Sequence, residues 1–175
     1  MAPRRALVVG RFQPFHLGHL QAVRRVAAEV EEVVVAIGSA DASHTLDNPF
    51  TAGERLEMVT AALREAGVAN ALVVPVPDLN RNPLWVAHVR SLVPRFQVVF
   101  TNNALPAQLF REAGHEVRPL PFVERERLEG RRIRRLMLEK GEWRALVPPP
   151  VARIVDEVEG EARLVALARD DAARR

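Results

Sequence analysis

A chain of 175 residues with 48% hydrophobic content can bury one real core, which fits a single domain. Cysteine is absent, so disulfides and thiolate metal sites are excluded, and no apolar run approaches the length that crosses a bilayer. The pI of about 10.7 invites a nucleic-acid partner, but the net charge is only +3, Lys140 is the only lysine and tyrosine is absent. Little titrates between the α-amino group and arginine, so the high pI reports missing buffers rather than a basic surface. Aromatic residues make up 5% of the chain, too few for an evident base-stacking platform, and nucleic acid is not an expected partner.

The amino-terminal Met1-Ala2-Pro3-Arg4-Arg5 is basic but has no separate apolar region of a secretion signal, which makes a cytoplasmic protein the expectation. Apolar β-rich runs and helical patterns then alternate. Ala6 to Val9 reads as a buried strand, and Leu17, Leu20, Val23, Ala27 and Val30 share one helical face. Val33 to Ile37 is a second strand. Thr51-Ala52-Gly53-Glu54 is a capping box opening a helix with Leu56, Val59, Leu63 and Ala66 on one face, and Gly67 suits its C′ position.

Ala71 to Val74 is a third strand. Asn82 before Pro83 opens a helix that stops by Pro94, and Val98 to Phe100 is a fourth strand. Asn102 or Asn103 caps the next helix, which ends near Gly114, and a short strand falls at Glu116 to Arg118. From Leu128 onward the chain reads as helical, with one apolar face at Ile133, Leu136 and Met137. A second, opened by Pro148-Pro149-Pro150, has Val151, Ile154, Val155 and Val158.

Continuous apolar strands separated by helices predict an α/β fold: a Rossmann-like parallel sheet with helices on both faces and a helical carboxy-terminal segment. Residues 1–168 read as one domain and 169–175 as a charged, disordered tail. Ligands of such sheets bind beyond the carboxyl ends of the strands. The most informative residues fall there, beginning with Gly10-Arg11-Phe12-Gln13-Pro14-Phe15-His16-Leu17-Gly18-His19. Glycines at a strand-to-helix turn let backbone N–H groups and a helix N-terminus face an anion, and imidazoles there can donate to phosphate oxygens. Arg11, at the end of the first strand, is placed to bridge donor and acceptor phosphates with its forked guanidinium. No third ligand with suitable spacing accompanies His16 and His19, so a protein-held metal is not expected.

This stretch resembles the His-x-Gly-His motif of the nucleotidyltransferase superfamily. In its longer form it is similar to that of nicotinamide mononucleotide (NMN) adenylyltransferases of the compact archaeal type. Four further stretches agree: Gly38-Ser39-Ala40 with Ser43-His44-Thr45, Asn48 to Arg55, Trp85-Val86, and Phe100 to Asn103. The resemblance implies that His16 and His19 contact ATP phosphates, with His19 stabilising the pentavalent α-phosphorus. Gly10, Phe12, Gln13 and Gly18 would complete the ATP-facing turn, Phe12 and Gln13 by shaping it. Asn103 would also meet the nucleotide, although an N-cap is sufficient reason for an Asn. Asn82 and Trp85 would hold NMN, whose electron-poor ring suits stacking on an indole. Ser39, His44 and Phe50 would wall the same site.

Departures from the family pattern concentrate in the second phosphate motif. Hydroxyl residues usual there are replaced by Glu129 and Arg131 in Glu129 to Arg135, while Arg134 keeps the motif arginine. Arg131 is either a substitute phosphate donor or part of a solvated stripe. Asp47 stands where a basic residue is usual, and Asn102 where glycine is. The implied reaction is transfer of AMP from ATP to NMN, giving NAD and pyrophosphate, with nicotinic acid mononucleotide as a second acceptor and Mg²⁺ arriving with ATP. A homo-oligomer, possibly a hexamer, is implied as well. The competing readings are a nucleotidyltransferase with another phosphate acceptor, or a nucleotide-binding regulator that has lost turnover.

Overall fold

The computed structural model describes residues 4–121 and 128–173; residues 1–3 of the amino-terminal stretch and 174–175 of the expected tail lie outside them. Five strands form one sheet: β1 (Arg5–Gly10), β2 (Glu32–Ile37), β3 (Ala71–Pro75), β4 (Val98–Phe100) and β5 (Glu116–Arg118). Their order is β3-β2-β1-β4-β5 and every pairing is parallel. The helices are α1 (Leu17–Glu29), α2 (Ala52–Glu65), α3 (Asn82–Leu92), α4 (Ala104–Glu112), α5 (Gly130–Leu138), α6 (Pro149–Glu157) and α7 (Gly160–Ala173). The expected α/β sheet is therefore present strand for strand.

Alternation along the buried strands divides the core in two. Ala6, Val8, Val33, Val35, Val98 and Phe100 face α1, α2 and the carboxy-terminal helices. Leu7, Val34, Ala36 and Val99 face Val86 and Val89 of α3 and Phe110 of α4. With both faces covered, the central strands β1, β2 and β4 are apolar through their buried residues and show no polar alternation, whereas the edge strand β5 carries Glu116 and Arg118.

Most end signals act as the sequence implies. Thr51 and Glu54 cap α2 reciprocally, and Gly67 follows it at φ +71°, a left-handed conformation suited to glycine. Asn103, not Asn102, caps α4 by accepting from the Leu105 N–H at 3.3 Å. Pro149 and Pro150 occupy the first turn of α6.

Two expectations change. The most buried residues of α1 are Gly18, Ala22, Val23 and Val26, while Leu17, Leu20, Ala27 and Val30 are only partly buried at its flanks. Small residues let the helix axis lie close to the sheet, and the larger leucines fill the sides. The segment from Arg169 is not a disordered tail throughout, because α7 continues to Ala173.

Leu7 is completely buried at the centre of the sheet. Leu7→Ala should lower unfolding stability by about 2–5 kcal/mol, read by urea denaturation; a loss well under 1 kcal/mol would mean that this face of β1 is loosely packed.

Candidate active site

All five strands are parallel, so the loops after them meet at one end of the sheet. The chain runs outward from β1 through β2 on one side and from β4 on the other, so a crevice opens between the β1 and β4 loops. A cavity of about 960 Å³ occupies this crevice, within the size range of nucleotide-sized sites. It is bordered by Gly10 to Gln13 after β1, Gly38 and Ser39 after β2, and Asp78 to Asn80 after β3. Thr101 to Leu105 border it after β4, and Glu129 to Arg131 at the start of α5. The first turns of α1, α3, α4 and α5 reach it and hold no acidic residue, although α5 has Glu129 as its N-cap. Their positive dipole ends are thus available to an anion.

His16 and His19 form a reciprocal capping box at the start of α1. The His19 N–H donates to His16 Nδ1 at 3.3 Å, and the His16 N–H donates to His19 Nδ1 at 3.2 Å. Each Nδ1 is an acceptor, so each neutral ring carries its proton on Nε2. The rings stack with centroids 3.4 Å apart, and Phe12 meets His19 edge-on at 4.9 Å. The motif therefore builds two oriented Nε2–H donors as well as a helix cap. Burial pushes the His16 pKa down to about 3. Burial, followed by the proximity of His16, holds His19 well below the usual imidazole value. Both rings are neutral donors near pH 7.

The arginines divide between exposed and buried. Arg11 is exposed at the cavity edge, 3.4 Å from Asn48 Oδ1. Arg134 is 9% exposed and donates to the Gln13 carbonyl at 2.8 Å and to Asp47 Oδ1 at 3.2 Å. Burial lowers its pKa, and Asp47 partly restores it. Gly130 makes this approach possible, since a Cβ there would stand 3.3 Å from both the Gln13 carbonyl and the Arg134 guanidinium. The acid at Asp47 is thus a partner for the motif arginine, and not only a missing cation. Its side chain is 76% exposed, so the pair is worth at most about 1 kcal/mol. A charge-assisted hydrogen bond is worth about 1.5–3 kcal/mol, more than this exposed pair. Arg131 borders the cavity, as does exposed Glu129, the N-cap of α5, which makes no side-chain capping bond.

Ser39, Asn82, Trp85 and Asn103 border the cavity as expected. Trp85 is half-buried, with its ring 5.4 Å from that of Phe110. Asn102 staples the loop instead of opening it: its side chain donates to the Leu120 carbonyl at 2.7 Å and accepts the Leu120 N–H at 3.1 Å. Three other residues lie differently from expectation. Phe50 is completely buried, packed against Gly160 away from the cavity. His44 is exposed and pairs with the Ser43 hydroxyl at 2.9 Å, outside the lining. Gly18 is buried beneath the His16 ring and Leu128. Gln13 reaches the lining and, in keeping with a turn-shaping residue, its amide is engaged by both backbone groups of Phe50, at 2.9 and 3.0 Å. Sequence reasoning also passed over Arg55, a wholly buried guanidinium behind the β1 and β2 loops. An arginine at an otherwise apolar position of α2 is the signal that could have found it.

A family model described as cytidylyltransferase-like matches residues 7–140, which contain all of the sheet but the first two residues of β1, both histidines and Arg134. That defines the class, a cytidylyltransferase-like nucleotidyltransferase. Nicotinamide-nucleotide adenylyltransferase of Methanothrix thermoacetophila is 49% identical, covering 97% of this chain and 99% of that protein. The protein of the same name from Thermococcus onnurineus is 50% identical over 95% of this chain and 89% of its own length. The chain belongs to the nicotinamide-nucleotide adenylyltransferase family. Among solved structures, a bifunctional NMN adenylyltransferase/ADP ribose pyrophosphatase from Francisella tularensis, complexed with AMP and a manganese ion, superposes with a TM-score of 0.77 at 19% identity. The match covers 94% of this chain and only 52% of that protein, and it shows the shared fold.

Replacing Asp47 with Asn should free Arg134 and raise affinity for a polyphosphate such as ATP up to about fivefold, the equivalent of an exposed ion pair. Weaker binding by calorimetry would show instead that Asp47 holds the guanidinium in its working position. A second expectation concerns acid. The folded protein takes up the His16 proton only near pH 3, the unfolded chain near 6.5. The unfolded chain therefore holds more protons in that window, and stability falls as pH drops through it. His16→Asn, which keeps a capping side chain, should flatten the dependence of melting temperature on pH between 6.5 and 4. An unchanged slope would remove His16 as its source.

Proposed function

We propose that this chain transfers AMP from ATP to NMN, with the NMN 5′-phosphate attacking the α-phosphorus in line. The new bond is phosphate oxygen to α-phosphorus, the bond to the β-phosphate oxygen breaks, and pyrophosphate carries away the electron pair. A phosphate monoester is already ionised at neutral pH, so no protein nucleophile or base is required. Catalysis then rests on positioning and on stabilising charge.

The reciprocal His16–His19 pair carries the reading. Two neutral imidazoles, fixed as Nε2–H donors at a helix N-terminus, suit charge that grows on α-phosphate oxygens. Arg11 and Arg134 would bind donor and acceptor phosphates, with Arg131 a further cation at the rim. Asn82 and Trp85 would hold the nicotinamide nucleotide, and Ser39 and Asn103 would border the nucleosides. Nicotinic acid mononucleotide is proposed as a second acceptor. Among the described residues no three His, Cys, Asp or Glu cluster as a metal cage. Mg²⁺ is accordingly proposed to enter with ATP, coordinated by phosphate oxygens and water, where it would neutralise polyphosphate charge. A homo-oligomer is part of the proposal; Leu84 and Leu92 of α3 and Leu105 of α4 are exposed apolar side chains that such an interface could cover. No described helix is long and apolar enough to cross a membrane, and the reaction is proposed to be cytoplasmic.

The test is pyrophosphate release from ATP and Mg²⁺ with NMN, with nicotinic acid mononucleotide, or with no acceptor. Release that needs a pyridine mononucleotide and yields the dinucleotide supports the reading; release with neither sinks it. In the same assay His19→Ala should lose on the order of 10²-fold in kcat while remaining folded, and retention within about tenfold would remove His19 from the chemistry.

A further inference from the structure

We propose that Arg55 is a positioning residue for this transfer, its buried guanidinium clamping the two strained turns that form the β1 and β2 side of the cavity. The inference rests on the reaction proposed above and concerns a residue that touches neither substrate.

Arg55 lies on the first turns of α2 and is 0% exposed. A guanidinium has five N–H donors in a rigid fork, and here they serve five backbone carbonyls. Nε donates to Thr51 at 3.1 Å. One terminal nitrogen donates to Arg11 and Gly38, each at 2.9 Å, and the other to Ser39 at 2.9 Å and Ala42 at 3.4 Å. None of these acceptors is a carboxylate. Asp41, Asp78 and Glu54 act on Arg55 through space, and burial brings its pKa down to about 10.

The choice of carbonyls is informative. Phe12 and Ser39 hold left-handed φ angles of 53° and 47°, which L side chains rarely adopt. Strain of this kind persists only where the surroundings over-determine it, and it concentrates at functional sites. Arg55 holds the peptide entering Phe12 through the Arg11 carbonyl, and both peptides flanking Ser39 through the Gly38 and Ser39 carbonyls. Phe12 in turn packs on the His19 ring, while Arg11 and Ser39 border the cavity. One cation therefore sets the relative position of the phosphate-side turn and the β2 loop. It also places a buried positive charge, held by carbonyls, behind a site built for anions.

The deciding variant is Arg55→Lys, which keeps the charge but offers three donors in place of the five-donor fork. It should melt cooperatively and bind ATP within about threefold of the wild type by calorimetry. Its kcat, measured well below the melting transition, should fall on the order of tenfold or more. A lowered melting temperature with kcat per folded molecule within about twofold of wild type would mean that Arg55 serves the fold alone, and would overturn the proposal. Should the lysine variant fail to fold, the wild type decides. The side-chain N–H resonances of Arg55 in ¹⁵N-arginine-labelled protein should exchange slowly and shift when a non-hydrolysable ATP analogue saturates the site; no shift overturns the proposal. Shifted Arg55 signals in a protein that releases no pyrophosphate with NMN would leave the clamp standing and sink the proposed reaction instead.

Discussion

The parallel pairing of β1 on both of its edges is the constraint from which the rest of the molecule follows. Because β2 and β4 both run alongside it in the same direction, every connection must cross over through a helix. Those crossovers cover both sheet faces and bring each strand's following loop to the same end. The chain departs from β1 in opposite directions, so the loops after β1 and β4 cannot close over one another. The cavity is the space this leaves, and each helix that begins beside it turns its positive end inward.

That arrangement explains why few charged side chains are needed. Four helix N-termini without a first-turn acid, α5 with Glu129 as its N-cap, turn N–H groups toward the cavity, and the two histidines there are neutral rather than cationic. A permanently charged imidazole pair stacked at 3.4 Å would repel itself, and burial removes that cost by keeping both rings neutral. The guanidiniums supply the fixed charge: Arg11 in the open, Arg134 tethered to Asp47 and to the Gln13 carbonyl. The tether orients the fork, and its Asp47 end is largely exposed to solvent.

Behind the cavity lies a supporting layer, joined to the lining through Gln13. Gln13 is stapled to the Phe50 backbone, Phe50 is packed by Gly160 at the start of α7, and Arg163 of α7 pairs with Glu54 at 2.7 and 2.8 Å. Glu54 caps α2, the helix that carries Arg55. The carboxy-terminal helix thus supports the turns after β1 and β2 through a continuous chain of contacts, although it contributes nothing to the lining.

The strands, most helix ends and the phosphate-facing turn were legible in the sequence because each depends on local chemistry. A run such as Val33 to Ile37 is apolar enough to be buried on both faces, and a capping box or a Gly67 acts within one turn of chain. His16 and His19 are close in sequence, so their shared position on α1 was readable as well. What tertiary structure alone decided involves partners distant along the chain. Asp47 meets Arg134 across 87 positions, and Phe50 meets Gln13 across 37. Arg55 gathers carbonyls from loops as many as 44 residues away. A backbone carbonyl leaves no mark in the sequence, so a side chain that binds carbonyls has no partner to be recognised by until the loops are in place. For the same reason Phe50 and His44 stand in a segment similar to the family's, yet one turned inward to the core and the other out to solvent.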